Sequence, residues 1–413
     1  MPDHPPTPPP GPLAGLRVLE IGHFVAAPFC TRLLADFGAD VIKIEPPGKG
    51  DPVRGWGAMV DGKSVWWSQH ARNKRLITLN LKAPEGLAIA RDLVAQSDVV
   101  VENMRPGLIE TFGLGPDEIG RVKPGCVLVR ISGFGQDGPY KMRPAFGAIG
   151  EALGGLRYLT GYPKGAVDLP PVRTGLSLSD SISGLYGAFG ALAALFHAAQ
   201  QDAPAEGVRV IDVSLTESIL SMLDASVPDY SQTGEPKQPS GSAISTAAPS
   251  SAYRCSDGSH ILIAANSDPL FARLAALMGQ PALAQDARFV TNRARLDNSA
   301  ALDALIEAWS RAHTPNAALA LLEAAAIPSC KIYDTADIAA DPHYRARGAI
   351  TPVADPDFPR EVLHVAPVPV MQGLPSGAIR WPGAAVGAHT DEILAELGTE
   401  PEQIAALRAA GVI

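Results

Sequence analysis

Leu13–Glu45 reads LAGLRVLEIGHFVAAPFCTRLLADFGADVIKIE, one strand–helix–strand unit. Leu16–Ile21 (LRVLEI) is an apolar run of strand length, Pro28–Phe37 reads as helix, and Asp40–Glu45 (DVIKIE) is a second strand. The alternation continues outward from there. Leu76–Leu81 (LITLNL) is a third strand, followed by a helix from about Pro84 to Gln96. Asp98–Glu102 (DVVVE), Cys126–Ile131 (CVLVRI) and Val208–Val213 (VRVIDV) add three more, the last with Ser214–Leu223 helical after it. Strands separated by helices of this length predict βαβ units, a mostly parallel sheet and an α/β, Rossmann-like large domain. The glycine fingerprint of a dinucleotide site does not follow the first strand, where Gly22-His23-Phe24-Val25-Ala26-Ala27 stands instead. Nicotinamide or flavin binding is therefore not supported.

The character of the chain changes near residue 226. Residues 226–250 are rich in Ser, Pro and Gly and read as linker or loop. Ala252–Ala265 places Ser256-Asp257-Gly258 between two strand-like runs, a hairpin pattern, and helical segments fill about 268–325. The boundaries expected are a proline-rich arm over 1–12, a large domain from 13 to 225, a smaller α+β domain from 226 to 330, and a C-terminal part from 331 to 413. That part ends in helices near Thr390–Leu397 and Pro401–Ala410. The arm, MPDHPPTPPPGP, has neither the basic start nor the apolar core of a signal peptide and reads as extended chain. Ser181–Gln200 carries no charge except a potential one on His197. Its content of Gly, Ala and Ser favours a buried helix of a soluble core over a membrane span.

Composition narrows the function classes. Of 413 residues, 46% are hydrophobic and 19% charged, an ordinary globular balance. The net charge of −9 argues against nucleic acid as the main partner. Cys30, Cys126, Cys255 and Cys330 include no CxxC pair, and the nine histidines show no HExxH or HxxxH spacing. No metal site is expected, and unpaired thiols suit a reducing, cytoplasmic setting.

A series of local patterns occurs in one order. After the opening stretch come NKRLITLNLKAPEG from Asn73, DVVVENMRPG from Asp98 and SGFGQDGPY from Ser132. LSDSISGLYGAFGALAALFHA follows from Leu178, SAYRCSDGSHILIAA from Ser251 and GAHTDEILAELG from Gly387. The series resembles the class III coenzyme A transferases, the group that includes formyl-CoA transferase and carnitine CoA-transferase, over nearly the whole chain from Leu13 to Ile413. The resemblance implies a Rossmann-like large domain built from both ends of the chain and a small central domain. It also implies a ring-shaped subunit interlocked with a second copy in a homodimer. The implied reaction moves coenzyme A from an acyl-CoA donor to a small carboxylic acid. CoA and acyl-CoA then enter as substrates, with no tightly bound cofactor.

Asp180 matches the family's catalytic aspartate. The chemistry needs a carboxylate, because exchange between acids must conserve the thioester's free energy. A carboxylate attacking an acyl-CoA gives a mixed anhydride, which thiolate reopens to an aspartyl-CoA thioester; a serine would give a plain ester, too stable to return its acyl group. A position early in a helix also favours the ionised form. On residue type alone, Asp before a helix is most often an N-cap, and the two roles are compatible. Ser132, Gly133, Phe134 and Gly135 follow the fifth strand, where backbone N–H groups can face an oxyanion or thioester carbonyl; an ordinary turn has the same composition. Some relatives carry Lys at the position of Ser132 and Tyr at that of Phe134.

CoA needs cations or amides for its phosphates and an apolar slot for adenine. By resemblance the contacts fall on His23, Val25 and Ala26, on Leu79 and Lys82, and on Asn103, Met104 and Arg105. Taken singly, a surface Lys or Arg is usually a solvated charge and a lone His structural. Formyl-CoA transferase has arginines where this chain has Pro46 and Thr111, which leaves Lys49, Arg54 or Arg105 as replacements. Pro239-Ser240-Gly241-Ser242 is a weak match to the family's glycine-rich covering loop. Arg143 and Arg173 are candidates to face a distal substrate carboxylate. Two rival readings remain. A 2-methylacyl-CoA racemase needs a His-Asp pair just past the GPY segment, and Met142-Arg143-Pro144-Ala145-Phe146-Gly147 holds no histidine. A non-catalytic CoA-binding protein is the other.

Overall fold

The computed structural model describes residues 11–201 and 206–413. The proline-rich arm, Gly11 and Pro12 apart, lies outside the described residues. The chain forms two compact units. The first holds residues up to Leu156, Thr174–Val227 and Pro342–Ile413; the second holds Arg157–Arg173 and Pro228–Asp341. This differs from the boundaries read from the sequence in two places: residues 157–173 leave the first unit, and the second runs to Asp341 rather than 330. Within the second unit, Tyr158 donates to Gln238 and the Gly241 N–H to Gly161 O, so the early segment is tied to the later one. Such an excursion leaves no mark on hydrophobic periodicity.

In the first unit, apolar alternation builds one sheet of six parallel strands: β1 Arg17–Ile21, β2 Asp40–Glu45, β3 Lys74–Thr78, β4 Val99–Glu102, β5 Val127–Ser132 and β6 Arg209–Ser214. Their order is β3-β2-β1-β4-β5-β6, that of a doubly wound sheet. The period of two sorts the side chains. Leu19, Ile42, Ile44, Ile77 and Leu128 form one core with the C-terminal helices Thr390–Glu396 and Pro401–Ala409. Val18, Val41, Val99, Val129 and Ile131 form the core of the opposite face. The third strand starts and ends earlier than LITLNL suggested, because Asn80 N–H leaves the sheet to bond Val412 O.

The helices that matter for the site are α1 Ala26–Asp36, α2 Val65–His70, α3 Pro84–Ala95, α4 Gly147–Leu153, α5 Leu178–Ala199 and α6 Leu215–Leu220. α5 departs from the fully buried helix expected. By length and composition it could cross a membrane, yet one face is built for close packing. A Cβ at Gly184 would stand 2.7 Å from Ala26 O and 3.0 Å from Cys30 N on α1, and one at Gly187 would stand 3.1 Å from Val129. The other face, Leu185, Phe189, Leu192 and Phe196, is exposed, Phe189 and Phe196 each at 68%. Composition alone does not tell a one-sided apolar helix from a fully buried one.

The second unit pairs β7 Ser250–Arg254 with β8 His260–Ala264 as the expected hairpin, its turn holding Gly258 at φ 89°, and adds β9 Ser329–Lys331 beside β8. The stretch read as loop from 226 contains one helix, Ser226–Thr233, with no buried residue.

Charges are buried inside the first unit's core. Glu20, Lys43 and Lys74 on β1, β2 and β3 are fully buried. Lys43 Nζ lies 2.6 Å and Lys74 Nζ 2.8 Å from the Glu20 carboxylate, which also accepts from Thr31 of α1. Burial alone would raise the Glu20 pKa, but the two ammonium groups outweigh it and hold it down to about 2. The lysines split. Burial is outweighed at Lys43, which meets Glu20, Asp51 and Glu45, and its pKa rises; burial, with repulsion from Lys43 added, lowers that of Lys74 to about 8 despite Glu20. We predict that Glu20→Gln, which leaves the buried Lys74 ammonium without its carboxylate, costs about 3–5 kcal/mol in urea unfolding. The folded pKa of Glu20 lies below its ordinary 4.5, so its stabilisation is complete above that pH and is lost as pH falls toward 2. Wild-type stability measured by circular dichroism should decline over that window, and the variant's slope there should be shallower.

Candidate functional site

Open parallel sheets bind ligands beyond the strand C-termini, where the strand order reverses. Here that point lies between β1 and β4, and His23 and Asn103 follow those two strands. Asn103 Oδ1 accepts from His23 N–H at 2.9 Å and its Nδ2 donates to His23 O at 2.8 Å. Asn103, expected as a CoA contact, thus spends its amide on the His23 backbone. Burial and the nearby Lys43 lower the His23 pKa, so the imidazole is neutral, and its Nδ1 is buried without a partner.

Beside this turn lies a 280 Å³ cavity lined mainly by apolar side chains, among them Ile44, Leu79, Met104 and Phe112, with His23 and Lys82. Four of the residues singled out from the sequence, His23, Leu79, Lys82 and Met104, therefore share one cavity. Lys82 and Arg105 are exposed, as is Lys49, two residues past Pro47 of the lining. Arg54 is not a free replacement cation: it forms a two-pronged pair with Glu45 at 2.9 and 2.7 Å, donates to Ala384 O, and stacks 3.7 Å over Trp67. Val25 and Ala26 are buried at the start of α1, which leaves the backbone as their means of contact.

Asp180 is the third residue of α5, half-buried, and Ser177 precedes the helix as its N-cap residue. The N-cap role that residue type suggested for Asp180 is therefore not the one it has. The carboxylate lies against the backbone of Gly147 at the start of α4; a Cβ at that glycine would collide with Asp180 Oδ2. Gly150 receives Ser179 in the same way. Glu151, 1% exposed, accepts the Leu178 N–H at 3.2 Å, supplying the cap that the Ser177 side chain does not. Ser179 Oγ donates to Leu215 O at 2.9 Å. The turn carrying Asp180 is thus gripped by α4 and by the start of α6.

Ser132 ends β5 with its hydroxyl buried and unpartnered, as is that of Ser183, three residues beyond Asp180. Gly135 takes φ 86°, and the Gln136 N–H donates to Asp212 at 2.8 Å, which pins the turn. Phe134 packs edge-on to Tyr140, and Arg143 stacks 3.6 Å over the Tyr140 ring. A Cβ at Gly133 would collide with Ala145, two residues before Gly147, so the turn packs on the segment that leads to the glycine beside Asp180. Arg173 falls in the second unit. Gly147, Glu151, Asp212 and Ser183 were not foreseen. The only trace of the first two was the i, i+3, i+4 spacing of Gly147, Gly150 and Glu151, which puts them on one helical face.

Residues 13–390 match the model of CoA-transferase family III. The chain is 44% identical over 407 residues, 98% of its length and 99% of the relative's, to the succinyl-CoA–D-citramalate CoA-transferase of Chloroflexus aurantiacus. It is 31% identical to the succinate–glutarate CoA-transferase of Agrobacterium fabrum, covering 94% of this chain and 96% of that one. Among solved structures, a CAIB/BAIF family protein from Brucella suis superposes with a TM-score of 0.82 at 32% identity, over 94% of this chain and all of that one. The chain belongs to CoA-transferase family III: it is an enzyme that moves coenzyme A from an acyl-CoA to a carboxylic acid.

The Gly147 contact makes a sharp prediction. Gly147→Ala should lower kcat by about tenfold or more, the equivalent of about 1.4 kcal/mol, by displacing the Asp180 carboxylate. Steady-state exchange between an acyl-CoA and an acid, with melting temperature as control, measures it.

Proposed function

We propose that Asp180 is the nucleophile of this transfer. Its carboxylate attacks the acyl-CoA carbonyl and expels CoA thiolate, giving a mixed anhydride. The thiolate attacks the aspartyl carbonyl, releases the donor acid and leaves an aspartyl-CoA thioester. The acceptor carboxylate attacks that thioester and expels thiolate, which then attacks the acceptor's acyl carbon and frees Asp180. No proton or water is consumed, so the thioester's energy is retained. The observation that carries this reading is the seating of the carboxylate on side-chain-free Gly147, beside the turn of Ser132–Gly135.

The cavity holding His23, Leu79, Lys82 and Met104 fits the adenine end of CoA, with Lys82, Arg105 and Lys49 near enough in sequence to its lining to meet phosphates. The acids are proposed to be small dicarboxylates. Relatives are named for citramalate, malate, succinate and glutarate, and the stacked guanidinium of Arg143 stands on the loop that leads to Gly147, the glycine beside Asp180. The exposed apolar stripe of α5 supports a second copy covering that face, as in the interlocked homodimer of ring-shaped subunits that the family resemblance implies. Four free cysteines support a cytoplasmic setting.

Asp180→Ala should abolish CoA exchange, by about 10³-fold or more, with melting temperature and CoA binding retained. Wild-type rates in that variant would refute the assignment. Incorporation of solvent deuterium at the α-carbon of a 2-methylacyl-CoA, without exchange of acids, would point to a racemase instead.

A further inference from the structure

The turn between β1 and α1 holds a conformation that a bulky side chain does not adopt unaided. Phe24 has φ 65°, in the left-handed region disfavoured by its own Cβ. Such backbone persists only where the surroundings over-determine it, and four side chains do so here. Lys43 Nζ donates to Gly22 O at 2.7 Å. Asn103 bonds both backbone groups of His23. Asp51 Oδ1 accepts from the Phe24 N–H at 3.2 Å. His70 Nε2 lies 2.9 Å from Phe24 O. A carbonyl can only accept, so His70 carries its proton on Nε2. Burial, reinforced by Lys74 and Arg32, lowers its pKa to about 3, which keeps it neutral and leaves that single proton in place. Lys43 also reaches Asp51 Oδ2 at 2.8 Å, so the clamp is anchored in the buried ionic cluster.

The turn connects the two halves of the site. His23 lines the cavity. The Phe24 ring packs 5.4 Å from Trp56 and edge-on, 5.8 Å, to Phe146, the residue before Gly147. We propose that His70 is a positioning residue: by holding the Phe24 carbonyl it fixes the left-handed turn that joins the nucleotide cavity to the seat of Asp180. This rests on the reading of the cavity as the CoA site. His70 itself is 4% exposed and acts only through Phe24.

The test uses the full-length enzyme with His70→Leu and His70→Gln. Leucine is of similar bulk with no donor, whereas the glutamine amide keeps an N–H able to reach the carbonyl. Amide hydrogen exchange over residues 22–26, kcat/KM for an acyl-CoA, KM for the acid and melting temperature are measured together. The leucine variant should exchange about tenfold faster in that segment and lose about tenfold in kcat/KM for acyl-CoA, with KM for the acid within about twofold. Glutamine should restore exchange and turnover to within about threefold of wild type, even if the two variants melt alike. Wild-type exchange in the leucine variant, or a glutamine variant no better than leucine, overturns the proposal. Failure of the CoA-site reading looks different: segment exchange would respond as described while Met104→Trp, which fills the cavity, left KM for acyl-CoA at the wild-type value.

Discussion

The contact between the Asp180 carboxylate and the backbone of Gly147 is the constraint on which the site depends. It fixes a charged group against a surface with no side chain, so the carboxylate is held without being covered. Glu151 of α4 and the Leu215 carbonyl of α6 then grip the same helical turn, the first by capping the Leu178 N–H and the second by accepting from Ser179. The nucleophile proposed at Asp180 would meet two acyl groups and a thiolate in succession and would gain from such fixed geometry, because each attack then starts close to its reacting distance.

The sheet explains why the remaining parts gather nearby. All six strands run parallel, so the residues after β1, β3, β4 and β5 emerge on one edge. The buried cluster of Glu20, Lys43 and Lys74 sits just beneath that edge and ties three adjacent strands together. A hydrophobic core of the same volume would stabilise the fold as well. The ions instead give Lys43 a fixed ammonium to aim at the Gly22 carbonyl, and so connect the core to the turn between β1 and α1.

Much of this was legible in the residues. The strand–helix alternation located five of the six sheet strands within a residue at either end, because strands buried on both faces read as near-continuous apolar runs. LITLNL misled because Leu79 and Leu81 continue the apolar alternation after the chain leaves the sheet, where both line the cavity instead. Ordered motifs led to Asp180, His23 and Lys82. What stayed hidden depends on tertiary approach. Gly147 and Glu151 look unremarkable until α4 meets α5, Arg54 looks free until Glu45 binds it, and the excursion of residues 157–173 into the second unit follows from contacts far along the chain.

The most direct measurement is mass spectrometry of the enzyme quenched during turnover with an acyl-CoA and an acid. The account predicts a CoA thioester on the peptide carrying Asp180, converted to a hydroxamate at that residue by hydroxylamine. Active enzyme that carries no adduct there, or carries it on a different side chain, would contradict it.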